Sequence, residues 1–495
     1  MTSELDYFFM FYEEQVIKWV FKYTCWTMGS KNNNKQVDLT YPLFLKYFAS
    51  KLLMRLHPNK RLPDYWSKNT LFRIPDIADL LTYQQYRRIE SAVTFQPQTA
   101  EQAEQERNKI RDKLETQRRQ EELLHPRVKI SKKIKVSIGY THIKWILFWC
   151  KKACESHLPE KSLKTICIDE TLIASRQRSA LIVYEPNKPD SYGFLFRTMC
   201  DCETGMILSF FLCDMGVNGA PSVPMTLACA KLMNCLNQRQ IRTTYYTDRG
   251  YTTISLLELA LKNKCHFVGT AQANRFKEGT LEWEQIAYGQ DGLSWELYQT
   301  QLVEKDIFHL IFHDKKDVHI LSTFRPLPDE QISGTKHQKL RPALICNYNG
   351  HKGTVDAADH ALREHELLHG SWRWTMTLNN SLIDMMLFNA HRYKCYKEGI
   401  HWRKRPFHNF IEAVARQLIK KAQLLEKKRS NSLEIYTHNQ MWFPFTKGGA
   451  RHERHNCVCC HQDGQIKKTT KYCSCGLVLC DDCFENHIKA LEDDE

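Results

Sequence analysis

The stretch "LKTICIDETLIA", residues 163–174, changes the texture of the chain and decides how its middle is read. Upstream, apolar residues fall in helix-like clusters such as "YPLFLKYFASKLLMRL" (41–56), punctuated by Pro63, Pro75 and Pro97. From residue 163 they come in short runs rich in β-branched and aromatic side chains: "SALIVYEP" (179–186), "YGFLFRTMC" (192–200) and "MILSFFLC" (206–213). Such runs read as strands, and "DCETG" (201–205) supplies a hairpin connection between the last two. A helical segment, "SVPMTLACAKLMNCLNQ" (222–238), leads to a strand, "IRTTYYTD" (241–248), a helix, "TTISLLELALKN" (252–263), and a strand, "CHFVGTA" (265–271). Hairpin-linked strands followed by strand–helix–strand units predict a mixed α/β sheet. Residues 276 to about 340 interrupt it with polar sequence and one hairpin-like pair, "FHLIFHDKKDVHILST" (308–323). Beyond them, "WRWTMTLNNSLIDMMLFNAHRYKCY" (372–396) is long, apolar and helical.

Acidic residues punctuate this pattern. Asp169 and Glu170 end the run "TICI", and Asp248 ends "TYYT". In an open α/β sheet, groups at the carboxyl ends of neighbouring strands converge on one crevice. "GTVDAADH" (353–360) adds Asp356 and Asp359, three apart where an extended stretch becomes a helix, so that both share one helix face. Helix capping accounts for one of the two, since Asp suits a helix start and its dipole. A metal site accounts for both. Clustered carboxylates repel unless protonated or neutralised by cations, and oxygen-only ligation favours Mg²⁺ or Mn²⁺. Two such ions about 4 Å apart can stabilise the attacking and leaving oxygens of an in-line phosphoryl displacement.

Bulk properties set the class. A chain of 495 residues is long for one core, and 42% hydrophobic with 11% aromatic residues suits several packed domains. The formal net charge of +14 points to a polyanion, with nucleic acid the leading candidate. No run of about 18 apolar residues exists, so no membrane span is expected. The opening "MTSELDYFFMFYEEQ" has acids where a secretion signal has lysines or arginines. The stretch "AEQERNKIRDKLETQRRQEELL" (103–124) reads as a solvated helix of mixed charge, and "RVKISKKIKVS" (127–137) is more one-sidedly basic. From His401 to Arg429, nine Lys or Arg stand against two Glu, interleaved with Trp402, Phe407 and Phe410, a mix suited to phosphate contact.

Cysteines number 19, and seven of them crowd into residues 457–483. Without a secretion signal, that crowding reads as metal binding rather than disulfides. "CVCC" (457–460), "CSC" (473–475), "CDDC" (480–483) and His487 fit an interleaved two-zinc arrangement. Cys457, Cys460, Cys480 and Cys483 would hold one ion. Cys473, Cys475 and His487 would hold the other, with His455, His452, His461 or Cys459 as fourth ligand. Ligase-type and histone-tail-reading cross-braces share this ligand rhythm, so a protein partner for the tail stays open.

These motifs, in this order, resemble the piggyBac-type transposases. "TICIDETLIASRQR" resembles that family's first catalytic-aspartate segment, and "YEPNKPDSYGFLFRTMCDCETGMILSFFLC" the strand pair after it. "YYTDRGYTTISLLELALKNKCHFVGTAQANR" resembles the second aspartate segment. "HDKKDVHILST" and "NYNGHKGTVDAADH" resemble the approach to the third. The resemblance spans roughly residues 40–490. It implies an RNase H-like catalytic core with an inserted domain, flanked by helical DNA-binding regions, and a small C-terminal cross-brace zinc domain. The boundaries it implies are a helical dimerisation and DNA-binding region at 1–160, catalytic core at 161–275, insertion at 276–340, core again at 341–365, helical region again at 366–450, and zinc domain at 455–490. Asp169, Asp248 and Asp356 would form the catalytic, Mg²⁺- or Mn²⁺-binding triad, with Asp359 a further acid beside the metals. Trp372 or Trp374 would stack on DNA unless core packing claims them, and Arg403, Lys404 and Arg405 would contact DNA. The implied activity is cut-and-paste transposition of double-stranded DNA at TTAA targets through a hairpin intermediate, by a nuclear homodimer. Departures from the family pattern are Arg176, Gln177 and Arg178 in place of a glycine–arginine pair, Arg249 and Gly250 after the second aspartate, and Thr354 in place of a glycine. The chain also starts close to the helical region, without the acidic leader common in the family. A truncated or domesticated copy, binding DNA without cleaving it, is therefore the second expectation.

Overall fold

Ten strands of one sheet organise the first of two units, residues 1–418; residues 419–495 make the second. The computed structural model describes residues 2–31, 39–95, 143–213, 223–272, 284–325, 343–367, 373–431, 440–442 and 455–492, apart from 178, 180, 187, 189, 291–292, 305, 314–315, 458–459, 461–466 and 474–478. Helices come first, as the apolar clustering predicts: α1 (Glu4–Phe11), α2 (Glu14–Lys31), α3 (Tyr41–Leu56), α4 (Pro75–Ala78), α5 (Tyr83–Ala92) and α6 (Lys144–Ser156). Ser3 and Thr82 start α1 and α5 with reciprocal capping boxes to Asp6 and Gln85. The charged stretch 103–124 and the basic stretch 127–137 lie outside the described residues.

The sheet contains β1 (Thr165–Ala174), β2 (Ile182–Tyr184), β3 (Tyr192–Asp201), β4 (Ile207–Leu212), β5 (Thr244–Thr247) and β6 (His266–Thr270), with α7 (Met225–Asn237) and α8 (Ile254–Lys262) connecting the later strands. β3 pairs antiparallel with β1, β2 and β4, while β1, β5 and β6 run parallel in that order. "DCETG" makes the expected β3–β4 turn, with Gly205 at φ +71°. The sheet then continues through β10 (Asp317–Ser322), β9 (Ile307–His313), β8 (Leu293–Glu304) and β7 (Glu284–Gln290). The hairpin expected at 308–323 is thus present. The polar stretch before it interrupts the strand–helix rhythm but not the sheet, since β7 and β8 extend it.

Two expectations change here. Asp169 does not end its strand. β1 runs on to Ala174 because β3 keeps pairing with it, from Asp169↔Thr198 to Ala174↔Gly193, after its pairing with β5 stops at Ile168↔Thr247. Gly193 permits that close approach, since a Cβ there would lie 2.2 Å from the Ile173 carbonyl oxygen. The stretch before Gly353 is also not extended: it is α9 (Ala343–His351), and α10 (Thr354–Arg363) follows directly. Ile345 and Tyr348 of α9 are buried against Tyr246, Val268 and Leu310, so tertiary packing overrides a weak local pattern.

Two long helices follow, α11 (Trp374–Lys397) and α12 (Phe407–Asn431). α11 is buried nearly all round, so its polar residues need partners. Tyr12 donates to Asn379 at 3.1 Å, and Arg55 forms a buried ion pair with Asp384. The Asn389 amide brackets Ile207, accepting from its N–H at 2.9 Å and donating to its carbonyl at 2.7 Å. In the second unit, β11 (Gln440–Trp442) pairs with β14 (Lys471–Cys473), β12 (His455–Asn456) with β13 (Lys468–Thr469), and α13 (Asp481–Glu492) follows. Among the described residues no helix is long and apolar enough to cross a membrane.

Candidate functional site

Strand register brings Asp169 and Asp248 together. Parallel pairing of β1 and β5 ends at Ile168↔Thr247, so each aspartate directly follows the last pair, Asp169 within β1 and Asp248 one residue past β5. Burial pushes the Asp169 carboxyl up to about 7; the Glu170 N–H it accepts at 2.8 Å opposes this, and the charges of Asp356, Glu170 and Asp248 add to it. Thr270 of β6 donates to Asp248 at 2.9 Å and also bonds the Tyr348 hydroxyl of α9 at 3.1 Å.

Asp356 sits exposed in the first turn of α10, whose N-cap Gly353 makes no side-chain cap. Asp356 is therefore not the N-cap residue, although its charge sits in the first turn, where the helix dipole favours it. The α9–α10 joint is tied to the sheet by the Cys167 thiol donating to the Lys352 carbonyl at 3.1 Å and by His351 stacking on Tyr246 at 4.6 Å. Asp359 accepts from Thr171 of β1 at 2.8 Å, and Thr171 in turn accepts from Thr198 of β3 at 3.0 Å. Burial raises Asp359 to about 7 as well, with Lys188 and Arg363 opposing and Asp356 adding.

Successive residues of a strand face opposite sides, so Glu170 leaves the side that Asp169 and Thr171 share. There it meets Arg197, its register partner on β3, in an ion pair with side chains 17% and 2% exposed. Arg197 also donates to the Tyr251 hydroxyl at 3.1 Å, and the Tyr251 N–H bonds the Asp248 carbonyl at 3.0 Å. One buried guanidinium therefore links the strand bearing Asp169 to the turn bearing Asp248. Neither Arg197 nor the threonines were marked by sequence pattern, although Arg197 is the lone charge inside the apolar run "YGFLFRTMC".

The donor set is oxygen only, which suits hard divalent cations. It is looser than the second cluster. Among the described residues, the group with ligand atoms all within 4.8 Å of one another is Cys457, Cys460, Cys480 and Cys483. Cys460 Sγ lies 3.8 Å from Cys480 Sγ and 3.5 Å from Cys483 Sγ. Against burial, which would raise it, the backbone N–H groups of Cys460 and Cys480 bring the Cys457 thiol down to about 7. This quartet could hold a metal ion, and it is the first of the two sets expected from spacing. Of the second set, Cys475 lies outside the described residues, as do the side chains of Cys473 and His487 and the alternatives His452, His461 and Cys459.

Among the expected DNA contacts, Trp372 lies outside the described residues, and Trp374 is half-buried with its ring 6.2 Å from that of Phe194. Arg403 and Lys404 are exposed on a 3₁₀ turn (Trp402–Lys404), while Arg405 pairs with Glu398 at 2.8 Å.

The mixed sheet carries Asp169 and Asp248 where the parallel pairing of β1 and β5 stops. Residues 3–119 and 151–391 match the family model described as Transposase IS4, and the chain belongs to that family. Its fold is that of a piggyBac transposase: the chain is similar to one solved by cryo-EM as a synaptic complex with hairpin DNA, with TM-score 0.62, 16% identity and 98% of each chain covered.

Proposed function

We propose that this chain is a cut-and-paste DNA transposase of the piggyBac type, acting on double-stranded DNA through an RNase H-like core. The observation that carries the reading is the strand register that puts Asp169 and Asp248 at neighbouring positions, directly after the last parallel pair of β1 and β5; Asp356 opens α10, and Asp359 of the same helix accepts from Thr171 of β1. The strand arrangement supports it: antiparallel β4, β3 and β1 joined to parallel β5 and β6. So does the family match, and so does the solved relative's printed title, which puts hairpin DNA on that protein.

In this reading Asp169, Asp248 and Asp356 hold Mg²⁺ or Mn²⁺. When bound, such ions supply the charge neutralisation and nucleophile activation that phosphodiester cleavage and strand transfer need. The chain's own residues supply placement. β1 and β5 set the first two carboxylates side by side, Thr270 fixes one oxygen of Asp248, and the α9–α10 joint delivers the third. Thr171 holds Asp359 at the rim, where Lys188, within 3.4 Å of the Glu170 carbonyl, brings a positive charge toward the incoming backbone. TTAA targeting, a hairpin intermediate, a homodimer on paired ends and nuclear residence complete the proposal, as does Zn²⁺ on Cys457, Cys460, Cys480 and Cys483 with a second Zn²⁺ nearby.

The test is metal-dependent cleavage of a labelled transposon end by the full chain. Mg²⁺ or Mn²⁺ should give end nicking, and Asp248→Ala should abolish it while leaving end binding intact. Robust cleavage by that variant refutes the assignment. End binding without any cleavage by the wild-type chain in either metal selects the non-catalytic, domesticated reading.

A further inference from the structure

Arg392 of α11 is a buried cation for which the described residues provide no anion. The residue is 5% exposed. Its guanidinium carbon lies 3.5 Å from the Trp402 ring centroid and 4.7 Å from that of Phe388. Nε and Nη1 are sealed from solvent and bond to nothing, and no carboxylate among the described residues pairs with the group. Gly205, in the β3–β4 turn, walls it on a further side: a Cβ there would sit 3.8 Å from Nε. The other buried arginines differ. Arg55 has Asp384, and Arg197 has Glu170.

Aromatic faces offset part of the cost of burying a charge, but they accept no N–H in the guanidinium plane. Buried donors left without acceptors are rare enough to need a reason. The surroundings suggest one. Trp402, which covers Arg392, also carries Arg403 at 5.1 Å from its centroid, and Lys404 stands exposed beside it. The segment docked over Arg392 therefore adds positive charge where a carboxylate would have compensated it. A site that is cationic, donor-rich and short of acceptors is complementary to a phosphate group.

We propose that Arg392 and Arg403, held on Trp402, form a subsite for one phosphodiester of bound DNA, with Nη2 of Arg392, the nitrogen not sealed, as the buried donor. The proposal rests on the reading of the chain as a DNA-binding transposase and adds to it a specific anion contact on α11. The free protein keeps the guanidinium charge uncompensated; a phosphate at Nη2 supplies the counter-charge, while Nε and Nη1 stay sealed.

Full-length wild type and Arg392→Gln are compared in three ways: thermal midpoint in phosphate-free buffer, the midpoint gain from inorganic phosphate at constant ionic strength, and the salt dependence of duplex affinity. Loss of an uncompensated buried charge should leave the Arg392→Gln midpoint equal to or above wild type. Its phosphate-induced gain should vanish. Its duplex binding should weaken about tenfold, with the slope of log K against log [salt] shallower by about 1. A variant that melts below wild type with an unchanged slope overturns the proposal, because Arg392 then serves packing alone. If wild type binds no duplex, the transposase reading fails, and the phosphate arm still decides the subsite: gain in wild type and none in the variant supports it, equal gains overturn it. Should Arg392→Gln not fold, Arg403→Gln in the same subsite is measured instead: a lost phosphate gain with a slope shallower by about 1 supports the subsite, and an unchanged gain, or a wild-type protein that gains nothing from phosphate, overturns it.

Discussion

Replacing Arg197 with methionine should uncouple the two aspartate-bearing strands, and the structure sets the size of the effect. The guanidinium is 2% exposed, its partner Glu170 17% exposed, so water screens the pair little. Removing one member of a buried pair costs about 3–5 kcal/mol, because the other is left uncompensated. Loss of the Tyr251 hydrogen bond adds about 1 kcal/mol. Arg197→Met should therefore lower the unfolding free energy of the first unit by about 4 kcal/mol, read by urea denaturation with backbone circular dichroism. Glu170→Gln removes the charge that Arg197 neutralises, and the double variant leaves neither charge stranded. A double-mutant cycle should accordingly show coupling of about 2 kcal/mol or more, with the double variant less destabilised than the sum of the two. The same variants should bind Mn²⁺ more weakly, since Arg197 reaches both the strand of Asp169 and the turn of Asp248. Additive single effects, within about 0.5 kcal/mol, sink the reasoning: Arg197 would then be one more well-packed side chain.

The remaining predictions concern the same centres. Gly269→Ala would place a Cβ 2.1 Å from Thr252 Oγ1 and 2.7 Å from Thr247 Oγ1, forcing apart a buried 2.9 Å hydroxyl pair next to Asp248. A stability loss of about 2–4 kcal/mol should appear in denaturant titration, together with loss of end cleavage. In the absence of divalent cations, the carboxyls of Asp169 and Asp359, both raised to about 7, keep protons that the unfolded chain has already lost above its ordinary aspartate range. Their contribution is present below that range and is lost as pH rises toward about 7, so metal-free stability should fall from pH 4 to 7. Mn²⁺ affinity should rise over the same interval, because fewer protons must be displaced; calorimetry at several pH values checks both signs. Cys480→Ser should lower the zinc content of the purified chain by one equivalent, measured by elemental mass spectrometry, and wild type that retains no zinc after purification in zinc-containing buffer argues against the thiolate site.

The sheet was legible where local chemistry and final pairing agree. "YGFLFRTMC", "DCETG" and "MILSFFLC" give a hairpin because β-branched and aromatic runs flank a turn that needs Gly205 at positive φ. Asp169 was misplaced within its strand because strand length depends on neighbours: β5 stops at Thr247, but β3 continues to Tyr192. Helix α9 was missed because "ALICNYNGH" has no clear apolar stripe, and only burial of Ile345 and Tyr348 against the sheet explains its helical state. The cysteine quartet was readable because tight CxxC turns preset two ligands each, so spacing alone brings four thiols together. Arg197 was not readable, since its importance comes from a register pairing with Glu170 that no local pattern encodes.

The third aspartate shows why the candidate site depends on packing as much as on the strands. Asp169 and Asp248 are adjacent through backbone pairing. Asp356 has no such backbone link. It projects from the exposed first turn of α10, and its position follows from three side contacts of the preceding joint: Cys167 on the Lys352 carbonyl, Tyr246 on His351 and Tyr348 on Thr270. Thr270 belongs to both sets, because it also fixes Asp248. Two carboxylates are thus set by the sheet, and the third is coupled to them through one shared hydroxyl.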